Sequence, residues 1–195
     1  MSIPVGERLW IKGDWDTRPV PAGRIPILIH PNPNVQGIGY ESATKAILMW
    51  LEQHIDQHDA ICDIGCGSGI LGIAAVKLGV SKAFLTDAAQ YAVDAAAANV
   101  LANGVSDKVL TQLGTVPIIE EASVSLVISN IGGLPSQQFI AAVARLLRPK
   151  GILLLTVPFE DAEQTELAAL SAGMMLISTE RLKDTTLLSA FQRMA

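Results

Sequence analysis

Charge is scarce in this sequence. Lys, Arg, Asp and Glu make up 17% of its 195 residues, and Lys and Arg nowhere form a block. The formal net charge is -5, so the chain lacks the basic footprint that a phosphate backbone demands, which argues against nucleic acid as its main partner. No apolar run approaches the ~20 residues that span a bilayer, and no membrane is expected. The segment Met1-Ser2-Ile3-Pro4-Val5-Gly6-Glu7 has neither a basic region nor an apolar core, so no signal peptide is expected and the location is expected to be cytoplasmic. Only two cysteines occur, Cys62 and Cys66, and they do not form a Cys-x-x-Cys pair; buried reduced thiols are the expectation. His30, His54 and His58 fall at no ligand spacing with them, so no metal is expected. Apolar residues, by contrast, are plentiful at 50%. That composition and length suit one globular domain with a full core. The oligomeric state stays open.

The most informative stretch is Asp63-Ile64-Gly65-Cys66-Gly67-Ser68-Gly69. The apolar run Ala60-Ile61-Cys62 precedes it and suits a buried strand. Ile70-Leu71-Gly72-Ile73-Ala74-Ala75-Val76 follows and suits a packed helix. A strand, a glycine turn and a helix meet a nucleotide-like ligand at the edge of a parallel sheet. Gly65 and Gly67 let the backbone turn tightly and approach a ligand closely. Two patterns overlap here. Gly67-x-Gly69-x-x-Gly72, with Asp87 about 20 residues on, matches the dinucleotide fingerprint. Asp63-x-Gly65-x-Gly67-x-Gly69 resembles the first motif of class I S-adenosylmethionine (SAM) methyltransferases. The second is preferred, because Asp63 at the strand end would accept from a ligand ammonium and would repel a pyrophosphate.

The remaining chain reads as a lead-in followed by alternation. Residues 1–58 are expected to form a lead-in and lid packed on the fold, and residues 59–195 the ligand-binding core. From Gly6 to about Asn34 the lead-in is irregular, with strand-like runs at Arg8-Leu9-Trp10-Ile11 and Ile25-Pro26-Ile27-Leu28-Ile29; proline puts the second at an edge. Trp10 and Trp15 suit anchors of a flap, or else the wall of a substrate pocket. Gly37-Ile38-Gly39-Tyr40-Glu41-Ser42-Ala43-Thr44 opens a helix that runs to about Ile55. Strands are expected near 60–64, 82–87, 108–112, 124–129 and 151–157, and helices near 69–79, 88–102, 135–147 and 160–172. Asn103-Gly104 and Pro149-Lys150-Gly151 are stops. Such alternation predicts a three-layer, Rossmann-like α/β fold with a mainly parallel seven-stranded sheet. Met174 to Leu182 and Thr185 to Met194, joined at Lys183-Asp184, leave no room for a crossover helix. They predict a hairpin whose last strand is antiparallel. A dinucleotide dehydrogenase would need a second half-fold, for which no residues remain.

Two polar residues stand at strand ends. Asp87 closes Leu85-Thr86-Asp87 and can accept from both hydroxyls of a ribose, or cap the next helix. Asn130 is the first polar residue beyond Val124-Ser125-Leu126-Val127-Ile128-Ser129. Its carbonyls suit the N–H hydrogens of an acceptor amine, or an ordinary turn. Methyl transfer from a sulfonium needs alignment more than acid–base help. Tyr40, Glu41 and Glu160 are the candidate polar groups nearby.

Together, Gly6-Glu7-Arg8-Leu9-Trp10-Ile11, Gly37-x-Gly39, the glycine motif through Leu71, Asn103-Gly104-Val105-Ser106-Asp107 and Ser129-Asn130-Ile131 resemble the catalytic domain of the PrmA-type ribosomal protein methyltransferases. That family methylates amino groups of a large-subunit stalk protein with SAM. The resemblance implies that Gly65, Gly67, Gly69 and Asp87 hold SAM, with Asp63, Cys66, Gly37 and Thr44 among the cofactor contacts, and that Asn130 faces both cofactor and reacting amine. Two departures stand out. The family's N-terminal docking domain has no counterpart in these residues. Its loop Gly-Thr-Gly-Thr-His-Pro-Thr-Thr reads Gly37-Ile38-Gly39-Tyr40-Glu41-Ser42-Ala43-Thr44 here. Both favour N-methylation of a small, cationic substrate, an amine or an amino-acid-derived molecule, with Tyr40 and Glu41 selecting it rather than serving the fold. A protein lysine is the alternative acceptor, and a SAM- or dinucleotide-binding module without catalysis is the alternative of another kind.

Overall fold

The apolar run at residues 60–64 forms an inner strand of the main sheet. The computed structural model describes residues 2–13, 15–182 and 185–195. In chain order these hold β1 (Ser2–Val5), β2 (Leu9–Gly13), β3 (Ile25–Ile29), α1 (Ser42–His54), β4 (Ala60–Ile64), α2 (Ile70–Leu78), β5 (Lys82–Asp87), α3 (Gln90–Ala102), β6 (Val109–Leu113), β7 (Val124–Ser129), α4 (Gln137–Leu146), β8 (Leu147–Pro158), α5 (Ala162–Ser171), β9 (Met174–Arg181) and β10 (Thr186–Arg193). The described residues make a seven-stranded sheet of order β6-β5-β4-β7-β8-β10-β9. β4, β5, β6, β7 and β8 run parallel, while β10 is antiparallel to β8 and β9. The expected α/β architecture and its antiparallel closing strand are therefore present; the joint at Lys183-Asp184 lies outside the described residues.

Side chains alternate across the sheet because strand residues point to opposite faces. Ile61, Leu85, Leu126 and Leu154 face α1, α2 and α3, whereas Cys62, Phe84, Val127 and Leu153 face α4 and α5. Both faces are covered, so the inner strands are apolar almost throughout. No helix among the described residues is long and apolar enough to cross a membrane.

Three details differ from expectation. The lead-in is a sheet of its own, with β2 between antiparallel β1 and parallel β3. β1 is four residues long and contains Pro4, too short to show a period. Helix α1 starts at Ser42 because Gly37 and Gly39, at φ 87° and 88°, cannot continue a right-handed helix. Pro149-Lys150-Gly151 is a kink inside β8 and not a stop. Lys150 takes φ 66°, and the register jumps from Val124 opposite Leu147 to Leu126 opposite Ile152.

Polar side chains on the helices fasten the lead-in. Glu52 on α1 accepts from the backbone N–H groups of Glu7, Arg8 and Leu9, each at 2.9 Å. Asn103, just after α3, pairs with both backbone groups of Leu28 in β3, and Asn99 on α3 accepts from the His30 N–H at 2.8 Å. These bonds satisfy backbone groups that the edge strand would otherwise leave unpaired.

Candidate functional site

The site forms at the carboxyl ends of β4, β5, β7 and β8. Here the chain leaves β4 through a left-handed turn, with φ of 70° at Gly65, 52° at Gly67 and 78° at Gly69. Close approach also demands glycine. A Cβ at Gly67 would lie 2.6 Å from the Gln36 carbonyl oxygen, and one at Gly65 would lie 2.0 Å from Ile131 Cγ2. Asp87, at the end of β5, accepts the Gly67 N–H on Oδ2 and the Ala89 N–H on Oδ1, both at 3.0 Å. It thus braces the glycine turn and the entry to α3 at once.

A second loop covers this turn. The Gln36 carbonyl accepts the Ser68 N–H at 3.0 Å, and the Gly37 carbonyl accepts the Ser68 hydroxyl. Asn99 donates to the Ser68 carbonyl at 2.8 Å, which ties the turn to the same side chain that holds His30. Glu41 folds back on its own loop. Its carboxylate accepts from Gly37 and Ile38, each at 3.2 Å, and from Gly39 at 3.1 Å.

Between turn, loop and strand ends lies a cavity of about 600 Å³. Ile64, Leu71, Ala88 and Tyr91 give it an apolar wall, and Asp87 and Asn130 supply polar groups. Asn130 is held on both sides. Thr156 donates its hydroxyl to Asn130 Oδ1 at 2.9 Å, and Asn130 Nδ2 donates to Thr44 Oγ1 at 3.4 Å.

Of the residues singled out from sequence, Gly37, Glu41, Thr44, Gly65, Cys66, Gly67, Asp87 and Asn130 line this one cavity. Four others do not. Asp63 is 1% exposed and lies beneath the turn, where Oδ2 accepts the Gly72 N–H at 3.0 Å. The alternation of β4 turns it toward α2 and away from the cavity, so it is not placed to face a ligand ammonium. Burial raises its pKa to about 7, with the Gly72 bond pulling the other way. Gly69 sits behind the wall, against Leu85 and Ala96. Tyr40 is off the lining, near Arg18 and under the ammonium of Lys45; burial raises its pKa. Glu160 is exposed in the turn after β8, off the lining. Trp10 and Trp15 are not on the lining either. Glu41 does line the cavity, yet its oxygens are engaged by its own loop, contrary to a purely substrate-facing role. Burial raises the pKa of the Cys66 thiol and lifts that of Cys62 to about 12, which favours the neutral thiol over the thiolate at both.

Thr156 and Gln36 also line the cavity and went unread in the sequence. Thr156 had a signal, being the single polar residue in the buried run Ile152–Val157.

The model for the family described as ribosomal protein L11 methyltransferase (PrmA) matches residues 2–190. The chain belongs to the PrmA family. It is 36% identical to the ribosomal protein L11 methyltransferase of Dechloromonas aromatica over 154 residues, 79% of this chain and 50% of that protein. With the protein of the same name from Cupriavidus metallidurans it shares 31% over 180 residues, 92% of this chain and 57% of that one. The chain thus spans about half the length of the curated relatives it matches. A crystal structure of ribosomal protein L11 methylase from Lactobacillus delbrueckii superposes with a TM-score of 0.83 at 22% identity, covering 100% of this chain and 99% of that one. Geranyl diphosphate C-methyltransferase from Streptomyces coelicolor gives 0.68 at 13% identity over 77% of each chain. At such identities the likeness is one of fold, and it is the class I methyltransferase fold that PrmA proteins share.

Proposed function

We propose that this PrmA-family chain transfers a methyl group from SAM to an amino group, and that the acceptor is ribosomal protein L11. Membership of the family across residues 2–190 carries the reading. The residues present fit the cofactor. The glycine turn is a cradle that a Cβ at Gly67 would fill, and the cavity of about 600 Å³ falls in the range of small-molecule sites. Asp87 bonds one N–H with each carboxylate oxygen, which leaves lone pairs for the two hydroxyls of a ribose. Gly37, Thr44, Gly65, Cys66 and Gly67 would hold the remainder of SAM, and bound SAM supplies an electrophilic methyl on a sulfonium. The side chain of Asn130 orients the acceptor amine through the free lone pair of Oδ1. Alignment is the main contribution, since the leaving group is already good. The amine reaches its neutral form by losing a proton to water.

The small cationic amine expected from the loop sequence rests on Glu41. Three backbone N–H groups already occupy that carboxylate, so its attraction for a second cation is reduced, and a protein amino group is the better-supported acceptor. The test uses methyl-labelled SAM with cell extract split into protein and small-molecule fractions, and purified ribosomal protein L11 in parallel. Label in L11 supports the reading. Label confined to small molecules restores the amine alternative, and binding of NAD without SAM would overturn both.

A further inference from the structure

Thr156 is an unusual residue for its place. Every residue from Ile152 to Val157 is buried, and Thr156 itself is 4% exposed. Valine has the same shape and would serve this strand as well, whereas a buried hydroxyl is unfavourable unless bonded. The hydroxyl makes one bond that the structure displays, to Asn130 Oδ1 at 2.9 Å. On the other side of the same amide stands Thr44, 1% exposed, accepting from Asn130 Nδ2 at 3.4 Å. These partners come from separate elements: Thr44 from the first turn of α1 and Thr156 from β8. The amide, which follows the end of β7, is therefore clamped at both ends by groups that are themselves buried. All three residues line the cavity.

We infer that Thr156 is a positioning residue for the acceptor amine, acting through Asn130. The inference rests on the reading above. Held by Thr156 and Thr44, Asn130 keeps its carbonyl at one angle and presents its second lone pair without reorganisation when the amine arrives. Without Thr156 that amide is held at one end only, and small errors of angle are expensive in an in-line transfer.

The test compares Thr156→Val with Thr156→Ser. For each, kcat and KM are measured with labelled SAM and ribosomal protein L11, S-adenosylhomocysteine affinity is measured by calorimetry, and the Asn130 side-chain amide protons are followed by NMR. Thr156→Val should lower kcat on the order of 10–100-fold. It should leave the affinity for S-adenosylhomocysteine within about twofold and shift the Asn130 amide signals. Thr156→Ser, which keeps the hydroxyl, should restore both turnover and spectrum. Unchanged kcat in Thr156→Val overturns the inference, as does a loss that serine does not rescue. If the unmodified protein labels neither L11 nor any other amine, the functional reading fails by itself. The spectra then decide the clamp: unshifted Asn130 signals in Thr156→Val overturn it, and shifted signals rescued by serine support it.

Discussion

Asp63 Oδ2 accepts the Gly72 N–H at 3.0 Å, fastening the end of β4 to the first turns of α2 from beneath the glycine loop. Oδ1 of the same carboxyl is buried with no partner among the described residues. A charge there is costly, which is why burial raises the Asp63 pKa from 3.8 to about 7. The native state therefore holds a proton that the unfolded chain has already released. By linkage, this contribution is full below pH 3.8, is lost as pH rises toward about 7, and is flat above. Asp63→Asn keeps an acceptor for Gly72 and cannot titrate. Denaturant midpoints measured across that window should slope less in Asp63→Asn than in the unmodified protein. Equal slopes would place the titration elsewhere.

Glu41 is expected to matter for stability. Its carboxylate accepts three N–H groups of the loop at residues 37–39. Glu41→Ala leaves these without that acceptor and should cost about 1–3 kcal/mol. Glu41→Gln, which keeps one acceptor oxygen, should cost less. Thermal melts give the answer. An unchanged melting temperature together with a raised KM would return Glu41 to the role of a substrate selector.

The two inner glycines should respond differently to alanine. Both lie at positive φ, where a Cβ costs roughly 1–2 kcal/mol. At Gly67 the added carbon meets a backbone oxygen 2.6 Å away, while at Gly65 it meets a side chain, the Cγ2 methyl of the exposed Ile131. Gly67→Ala should therefore be the more damaging to both melting temperature and SAM affinity. Adding Ile131→Ala should recover part of the loss in Gly65→Ala and none in Gly67→Ala. Recovery in both, or in neither, would refute this account of the turn.

Asp87 joins two N–H groups to the cavity wall. Asp87→Ala should weaken SAM binding by about 1–3 kcal/mol through unmade bonds. Calorimetry with SAM and S-adenosylhomocysteine measures it. Unchanged affinity in a folded variant would leave Asp87 as a brace of the turn only.

What the sequence determined by itself is the part governed by near neighbours. The strands at residues 60–64, 82–87 and 124–129 fall where their apolar runs end, because period and turn chemistry are local properties. The left-handed glycines, Asp87 and Asn130 follow from those ends, since each residue after a parallel strand emerges at the same edge. The tertiary structure decided where polar groups point and what they bond. Asp63 went beneath the turn because the alternation of β4 aims it at α2, and Glu41 went to its own loop because Gly37 and Gly39 curl three N–H groups around it. The clamp on Asn130 brings together Thr44, 86 residues before it, and Thr156, 26 residues after it. Asn99 likewise bonds the Ser68 carbonyl and the His30 N–H, 31 and 69 residues away. A hydrogen bond depends on a few tenths of an ångström and on angle. Such distances between remote residues are settled only when the helices and strands have packed.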